Sequence, residues 1–439
     1  MNATDLPPLW HAVLTTLSFA LDARNHWRLP VVAIGLLFAR PRRTLASCLR
    51  AAGITADHPP YYHFLRVLGD RAAALAPLLA AHVIPRVCPD GPVRFARDDT
   101  PTRRYGPCVQ GAGVHHNPTP GPAGSPYLYG HVWVTRAAVP RHPDWGVIAL
   151  PLRAELYVRA KDIPGLPPRH ARPFRTKLEL AAALISGLPR WPGLAGRTLQ
   201  VAVDGAYAAR PVFRAARAAG VTLVARLRKD AALRSLPVPT PGRRGRPRVY
   251  GPDRVSLAKR AAHRGGWEEV ECFQYGRVRV KRVTTFLATW RPAGGVVRVV
   301  IVSEPTGWRA YVCTDVSLGA AAVLEIAAAR TGIEDGFKDV KEEGGAGEQQ
   351  VRDVAGNEGG FHLACWVKTL VELWAWDRPA ADLVNRPAWD DPARRPSFAE
   401  KRTALRTDCL RREFITCQGA TPVTPNTAAF VERLIAQAA

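Results

Sequence analysis

The sequence predicts an α/β chain: a mixed sheet flanked by helices, interrupted by a strand-rich insertion and bounded by helical regions at both ends. Three observations lead there. Short apolar runs alternate with helical patterns over residues 91 to 225. A basic block with strand alternation follows, to about residue 315. Before and after these segments, apolar residues recur at helical spacing. The 439 residues leave room for about three domains at roughly 150 residues each. A hydrophobic fraction of 47% with 22% charged residues argues against a mostly disordered or fibrous chain.

Residues 1–90 read as helical, from Leu9, Val13, Leu17 and Leu21 and again from Leu75, Leu78 and Leu79. Between them, Arg42 to Ile54 suggests a short helix closed by Gly53. A turn with Pro59-Pro60 and a second helix from Tyr61 to Leu68 come next. Helix, turn and helix with arginines at the start make a candidate DNA-docking unit. In residues 91–225 the expected strands are Val93 to Asp98, Leu128 to Thr135, Val147 to Leu152, Thr198 to Asp204 and Val221 to Leu227. The expected helices there are Phe174 to Ile185 and Ala208 to Ala219, and the Pro- and Gly-rich stretch from Asn117 to Pro126 is a loop. The block 226–315 gives strands at Glu269 to Tyr275, Val278 to Trp290, Val296 to Ser303 and Trp308 to Thr314. Residues 316–376 return to helix. The tail, 377–439, has amphipathic helices around Phe398 to Phe414 and Thr427 to Ala436.

Charge narrows the partners. Lys and Arg number 61 against 37 Asp and Glu, a net +24, which calls for a polyanion, either nucleic acid or an anionic membrane surface. The longest apolar run near the N-terminus, Pro30 to Ala39, is half of what a spanning helix needs. No membrane is expected. Met1 to Trp10 carry Asp5 and no basic segment, so no signal peptide is expected either. The eight cysteines form no CxxC pair, and reduced thiols in a cytoplasmic protein are expected. Residues 226–310 hold 19 Lys and Arg against 6 Asp and Glu, more than half of the net excess. The alternation Arg277, Arg279, Lys281 puts cations on one strand face, suited to a phosphate backbone. Arg243 to Pro247 has the Arg-Gly-Arg core of a minor-groove reader, with Arg244 and Arg246 as its candidate contacts.

The sharpest signal is a set of acids. Asp98-Asp99 ends the first strand of the mixed sheet, Asp204 ends a later one, and Glu334 lies in a helix. Carboxylates converging at neighbouring strand ends repel one another unless a cation binds between them. Hard divalent cations take such oxygen ligands, and two of them roughly 4 Å apart serve phosphodiester chemistry. The same acids also suit turn capping and a surface pair of Glu334 with Arg330 or Lys338. Spacing alone leaves Asp98 and Asp99 both open, with Asp315, Asp335 and Asp339 as further acids.

With these residues in view, the chain resembles the DDE-superfamily transposases of bacterial insertion sequences, in the group with a β-rich insertion between the second Asp and the Glu. Three segments carry the resemblance: Asp98-Asp99-Thr100 with the following Gly111 to His116 and Gly130 to Val134; Val203-Asp204-Gly205-Ala206-Tyr207; and a Tyr-x2-Arg-x3-Glu-x6-Lys signature onto which Arg330, Glu334 and Lys341 fall. Ala327 stands where the signature has Tyr. The resemblance covers about residues 91–376.

It implies a ribonuclease-H-like core interrupted by the β-rich insertion, with Asp98, Asp204 and Glu334 as catalytic residues and ligands of two Mg²⁺, for which Mn²⁺ can substitute. Asp98, two before Thr100, is chosen over Asp99. Arg330 and Lys341 would hold phosphates, and Trp308, with Trp267 and Trp290 as competitors, would stack a flipped base. His115 and His116 are possible DNA or proton-transfer groups. The implied activity is cleavage at the inverted repeats of the element and attack of the freed 3′-OH on target DNA. The implied partner is double-stranded DNA, bound by a homodimer. A nuclease that cleaves without joining, or a DNA-binding protein that has lost catalysis, are the rivals.

Overall fold

The computed structural model describes residues 6–40, 42–117, 124–238, 247–384, 386, 389–391, 393–419 and 425–438. Its centre is β1 (Val93–Arg103). On one side β1 pairs antiparallel with β3 (Tyr127–Ala138). The far edge of β3 carries β2 (Gly113–His116) at its start and β4 (Leu150–Tyr157) along the rest. On the other side lie β5 (Leu199–Val203) and β6 (Thr222–Leu227), both parallel to β1. Three antiparallel strands followed by two parallel ones, in the order β4-β3-β1-β5-β6, form a ribonuclease-H-like sheet. All five residues of β5 are buried, as a strand covered on both faces requires.

The basic block continues this same sheet. The chain leaves at Leu227 and returns through β7 (Glu268–Gln274), β8 (Arg277–Trp290), β9 (Gly295–Glu304) and β10 (Gly307–Cys313). These pair antiparallel in turn, and β10 closes onto β6 with Ala310 opposite Leu227. The alternation of Arg277, Arg279 and Lys281 holds, but that face is not a free basic surface. Val283 on the same face is buried under a helix, and Lys281 pairs with Glu304 of β9 at 3.1 Å. The outward face carries Val278 and Val280, both exposed, with Arg282.

Alternating side chains divide the sheet. Phe95, Val201, Val203 and Leu223 face one helical layer that includes α5 (Lys177–Ser186) and α6 (Arg210–Ala218). Ala96, Ala202 and Val224 face α8 (Ala320–Ala329) and α9 (Thr331–Glu342). The short α7 (Leu257–Ala262) lies in the insertion. On α9, Gly332, Ile333, Gly336, Phe337 and Val340 form the buried stripe. The glycines bring α9 close: a Cβ on Gly332 would lie 2.9 Å from the Val147 side chain, and one on Gly336 3.0 Å from that of Ala149.

The N-terminal segment forms α1 (Pro8–Phe19), α2 (Arg28–Phe38), α3 (Leu45–Ala51) and α4 (Pro59–Val87). Thr44 caps α3, and Gly53 at φ +80° closes it as expected. The second helix of the candidate docking unit is far longer than its apolar spacing suggested, because one face stays buried to Val87 against α10 (Val354–Ala375). By length and composition α4 could cross a membrane; here its apolar residues pack inside the protein. Arg43, expected at the docking edge, turns its guanidinium inward onto Glu343 and the Glu342 carbonyl, while its backbone N–H donates to Glu348. Helix α11 (Phe398–Gln418), capped by Ser397 and Glu400, sends Arg402 and Arg406 to the carbonyls that end α2, and α12 (Pro425–Ala438) follows.

The α4–α10 crossing depends on glycine. A Cβ on Gly69 would meet the Ala355 carbonyl oxygen at 2.0 Å, and one on Gly359 the Leu65 carbonyl oxygen at 2.0 Å. Both obstacles are backbone, so the helices must separate. Gly69→Ala is expected to cost about 1–3 kcal/mol or more, read as a lowered denaturation midpoint. Gly165→Ala, whose Cβ would meet nothing within 4 Å, should leave the midpoint in place.

Candidate active site

The acids converge because of strand register. β1 and β5 run parallel with Arg97 opposite Val203, so the next residues, Asp98 and Asp204, are level with each other. The first strand does not end at Asp98 as the sequence suggested. It runs on to Arg103 because β3 keeps pairing with it, and Pro101 is tolerated there since β5 no longer needs its N–H. The two carboxylates therefore mark the point where the parallel pairing ends.

Alternation separates Asp98 from Asp99. Asp98 shares the α9 side with Ala96. Asp99 points to the α5 side, where it accepts hydrogen bonds from Tyr207 Oη at 2.8 Å and Lys177 Nζ at 2.6 Å. Both oxygens of Asp99 are thus engaged. The sequence marks neither Lys177 nor Tyr207 as functional: Tyr207 lies within the Val203 to Tyr207 motif, whereas a lone lysine at a helix start carries no sequence signal.

Arg330, the single residue between α8 and α9, organises the other side. Its Nη1 lies 2.5 Å from Asp98 Oδ2 and its Nη2 2.7 Å from Glu334 Oε1. Asp98 Oδ1 also accepts the Asp99 N–H at 2.9 Å. The Asp98 side chain is 17% exposed and that of Glu334 55%. Burial pushes the Asp98 carboxyl up to about 6, with the Asp99 and Asp204 charges adding to the rise and Arg330 opposing it. Burial alone would lower the Arg330 guanidinium, but Asp98, Glu334 and Asp204 together hold it above its ordinary value. Asp204 begins a short 3₁₀ turn without using its carboxylate as a cap. Among the described residues, no three His, Cys, Asp or Glu side chains lie close enough to hold a metal ion. Between Asp98 and Glu334 there is a guanidinium.

The other acids serve elsewhere. Asp335 pairs with Arg395 at 3.1 Å, and Asp339 faces Lys368 at 4.0 Å. Asp315 accepts from Ser317. Lys341 lies two turns after Glu334 on the same helix face, about 10 Å along the axis. It is half-buried, burial lowers its pKa, and among the described residues it makes no hydrogen bond or ion pair. Ala327 packs against the core under α8.

Trp308 is half-buried at the start of β10, with Lys229 Nζ 5.0 Å from its ring centroid. Trp267 likewise lies under Arg282, while Trp290 is buried edge-on to Phe213. His115 and His116 sit on β2 opposite Tyr127 and Leu128, whereas Asp98 is opposite Thr135. Strand rise puts them well over 15 Å along the sheet from Asp98, so they do not join the acids. Arg244 and Arg246 lie outside the described residues.

Over residues 16–291, more than half of its length, the chain matches the family described as DDE superfamily endonuclease. The matched span includes Asp98 and Asp204 and ends before Glu334. No curated protein matches the chain.

Proposed function

Because this chain belongs to the DDE superfamily endonucleases, we propose that it is a cut-and-paste DNA transposase, freeing a 3′-OH at each end of its own element and joining it to target DNA. The observation that carries this reading is the level pair Asp98 and Asp204, with Asp98 tied to Glu334 through Arg330.

The donor set suits a hard divalent cation: three carboxylates, with no nitrogen or sulfur donor among them. Asp98, Asp204 and Glu334 would hold two Mg²⁺, with Mn²⁺ able to substitute. When bound, the ions supply an activated water or 3′-OH and stabilise the leaving oxygen. The chain's own groups do the rest. Arg330 neutralises the acids until they take a cation; its guanidinium then has donors to spare for a phosphate. Lys341 offers a second cation along the same helix face. Stacking of a flipped base on Trp308 would displace the Lys229 ammonium from its ring. Two chains acting as a dimer on double-stranded DNA would bring both ends together.

A duplex carrying the repeats that flank the gene tests the reading. The expected product is a nick at the repeat end in Mg²⁺ and none in EDTA. Cleavage without preference for the repeats favours a nuclease, and binding without cleavage a catalytically silent DNA-binding protein. Lys341→Ala should weaken binding of any duplex by a similar factor and reduce the slope of log K against log[salt] by about one. A titration of affinity against KCl reads this.

A further inference from the structure

On the far side of the sheet from α9, α6 carries Arg210, Arg214 and Arg217 at i, i+4 and i+7. Its Val212, Phe213, Ala215 and Ala216 are buried, so the three arginines face outward, and all three are exposed. The helix meets the turn between β8 and β9. Arg217 fixes that junction by donating through Nε to the Ala293 carbonyl at 2.5 Å and through Nη2 to that of Val296 at 2.7 Å. Arg291, also exposed, adds a fourth guanidinium, 6.0 Å from the Tyr250 ring centroid. Together they line an open cleft of about 710 Å³ with no acid among the described residues of its wall.

Arg210 and Arg214 also border the groove between α6 and α5. The acid there, Glu179, is turned back to cap its own helix through Thr176. Among the described residues Arg210, Arg214 and Arg291 make no ion pair. Four guanidinium groups sharing one cleft without a counter-charge repel one another until an anion enters. The cations follow a line of about 10 Å along the helix rather than converging on a point. That geometry fits a chain of phosphates, not a single small anion.

We propose that this cleft between α6 and the β8–β9 turn binds the sugar-phosphate backbone of a second DNA duplex, distinct from the one whose phosphate lies at Asp98. The assignment rests on the transposase reading. DNA is stiff over about 150 base pairs, so a duplex engaged beside α9 does not fold around the sheet to reach the outer face of α6. Contact is through charge and is independent of sequence.

The test uses the full chain in EDTA with two 40-base-pair duplexes of arbitrary sequence, one labelled with a donor dye and one with an acceptor. Energy transfer, read at a protein concentration where sedimentation shows one chain per complex, reports capture of both by a single chain. The wild type should bridge them. Arg210→Ala/Arg214→Ala/Arg291→Ala, which leaves Arg217 to hold the turn, should bridge at least about tenfold less and show a salt slope smaller by about three. Mg²⁺-dependent cleavage of a single saturating duplex should stay within about twofold. The corresponding triple lysine variant should restore bridging, since phosphate contact needs only charge. A triple alanine variant with wild-type bridging and slope overturns the assignment. So does one whose single-duplex cleavage falls in step with bridging, because the cleft then holds the duplex that is cut. A wild type that binds no duplex removes the transposase reading and this assignment with it.

Discussion

Exchanging Asp98 or Asp204 for Asn, or Glu334 for Gln, should slow Mg²⁺-dependent cleavage by at least about 10³-fold while the protein stays folded and bound to DNA. Each amide removes one anionic oxygen donor, and loss of several kcal/mol of transition-state stabilisation corresponds to that factor. The structure gives reasons why folding survives. Glu334 is more than half exposed, so an amide there costs little. Asp204 caps no turn. Asp98 is largely shielded from solvent, and that burial already disfavours its charge, so a neutral isostere suits the site. Asp99→Asn is the internal comparison. It weakens the links to Lys177 and Tyr207 on the opposite side of the strand. It should lower the denaturation midpoint yet keep the cleavage rate within about tenfold. Rates and midpoints measured on the four variants separate the two aspartates. Loss of activity in Asp99→Asn with retention in Asp98→Asn would reverse the assignment.

The second large effect belongs to Arg330. Its guanidinium bridges Asp98 and Glu334, so a divalent cation and Arg330 compete for the same oxygens. Arg330→Met removes the competitor. Mn²⁺ affinity of the DNA-free protein should then rise about tenfold, or about 1.4 kcal/mol, by calorimetry. Cleavage should nevertheless fall at least about 10²-fold, because the group that would hold the phosphate is gone. In the wild type the competition links the two ligands, and linkage is reciprocal. Ca²⁺ should therefore tighten DNA binding, and that gain should vanish in Arg330→Met. If Mn²⁺ binds the variant more weakly than the wild type, Arg330 is not a counter-ion of the acids but a support for their geometry.

Much of the fold is legible in the sequence. The run Leu199 to Val203 reads as a strand ending in the acid Asp204, though its polar Gln200 gives no hint that both faces are covered, and the alternation along β8 and β9 gives the insertion its strands. What escapes is whatever depends on which partner covers a face. Arg277, Arg279 and Lys281 do share one strand face, yet α8 lies over its continuation at Val283. No local pattern reports that. The extent of α4 was missed for the same reason, since its length is set by α10, almost 300 residues away. At the site, the identity of the acids is visible in the sequence but their sides are not. The family resemblance chooses Asp98 over Asp99, but the physical distinction lies in the position of Ala96 relative to α9 and in the reach of Lys177. The Arg330–Asp98 bridge spans 232 residues; spacing along a helix suggests only its Glu334 half. The arginines of α6 do carry a sequence signal, an i, i+4, i+7 repeat, but its meaning depends on the β8–β9 turn that closes the cleft.

Joining, isolated from cleavage, is the step that most directly separates a transposase from a nuclease. A pre-cut end duplex with a free 3′-OH is incubated with the protein, Mg²⁺ and a target plasmid, beside the same duplex ending in a 3′-dideoxy nucleotide and beside Glu334→Gln. End-labelled plasmid is expected only with the 3′-OH duplex, only with Mg²⁺, and not with Glu334→Gln, although that variant still binds the end. Cleavage of uncut ends without any joining of pre-cut ones would contradict the transposase reading and leave a nuclease on the same three carboxylates.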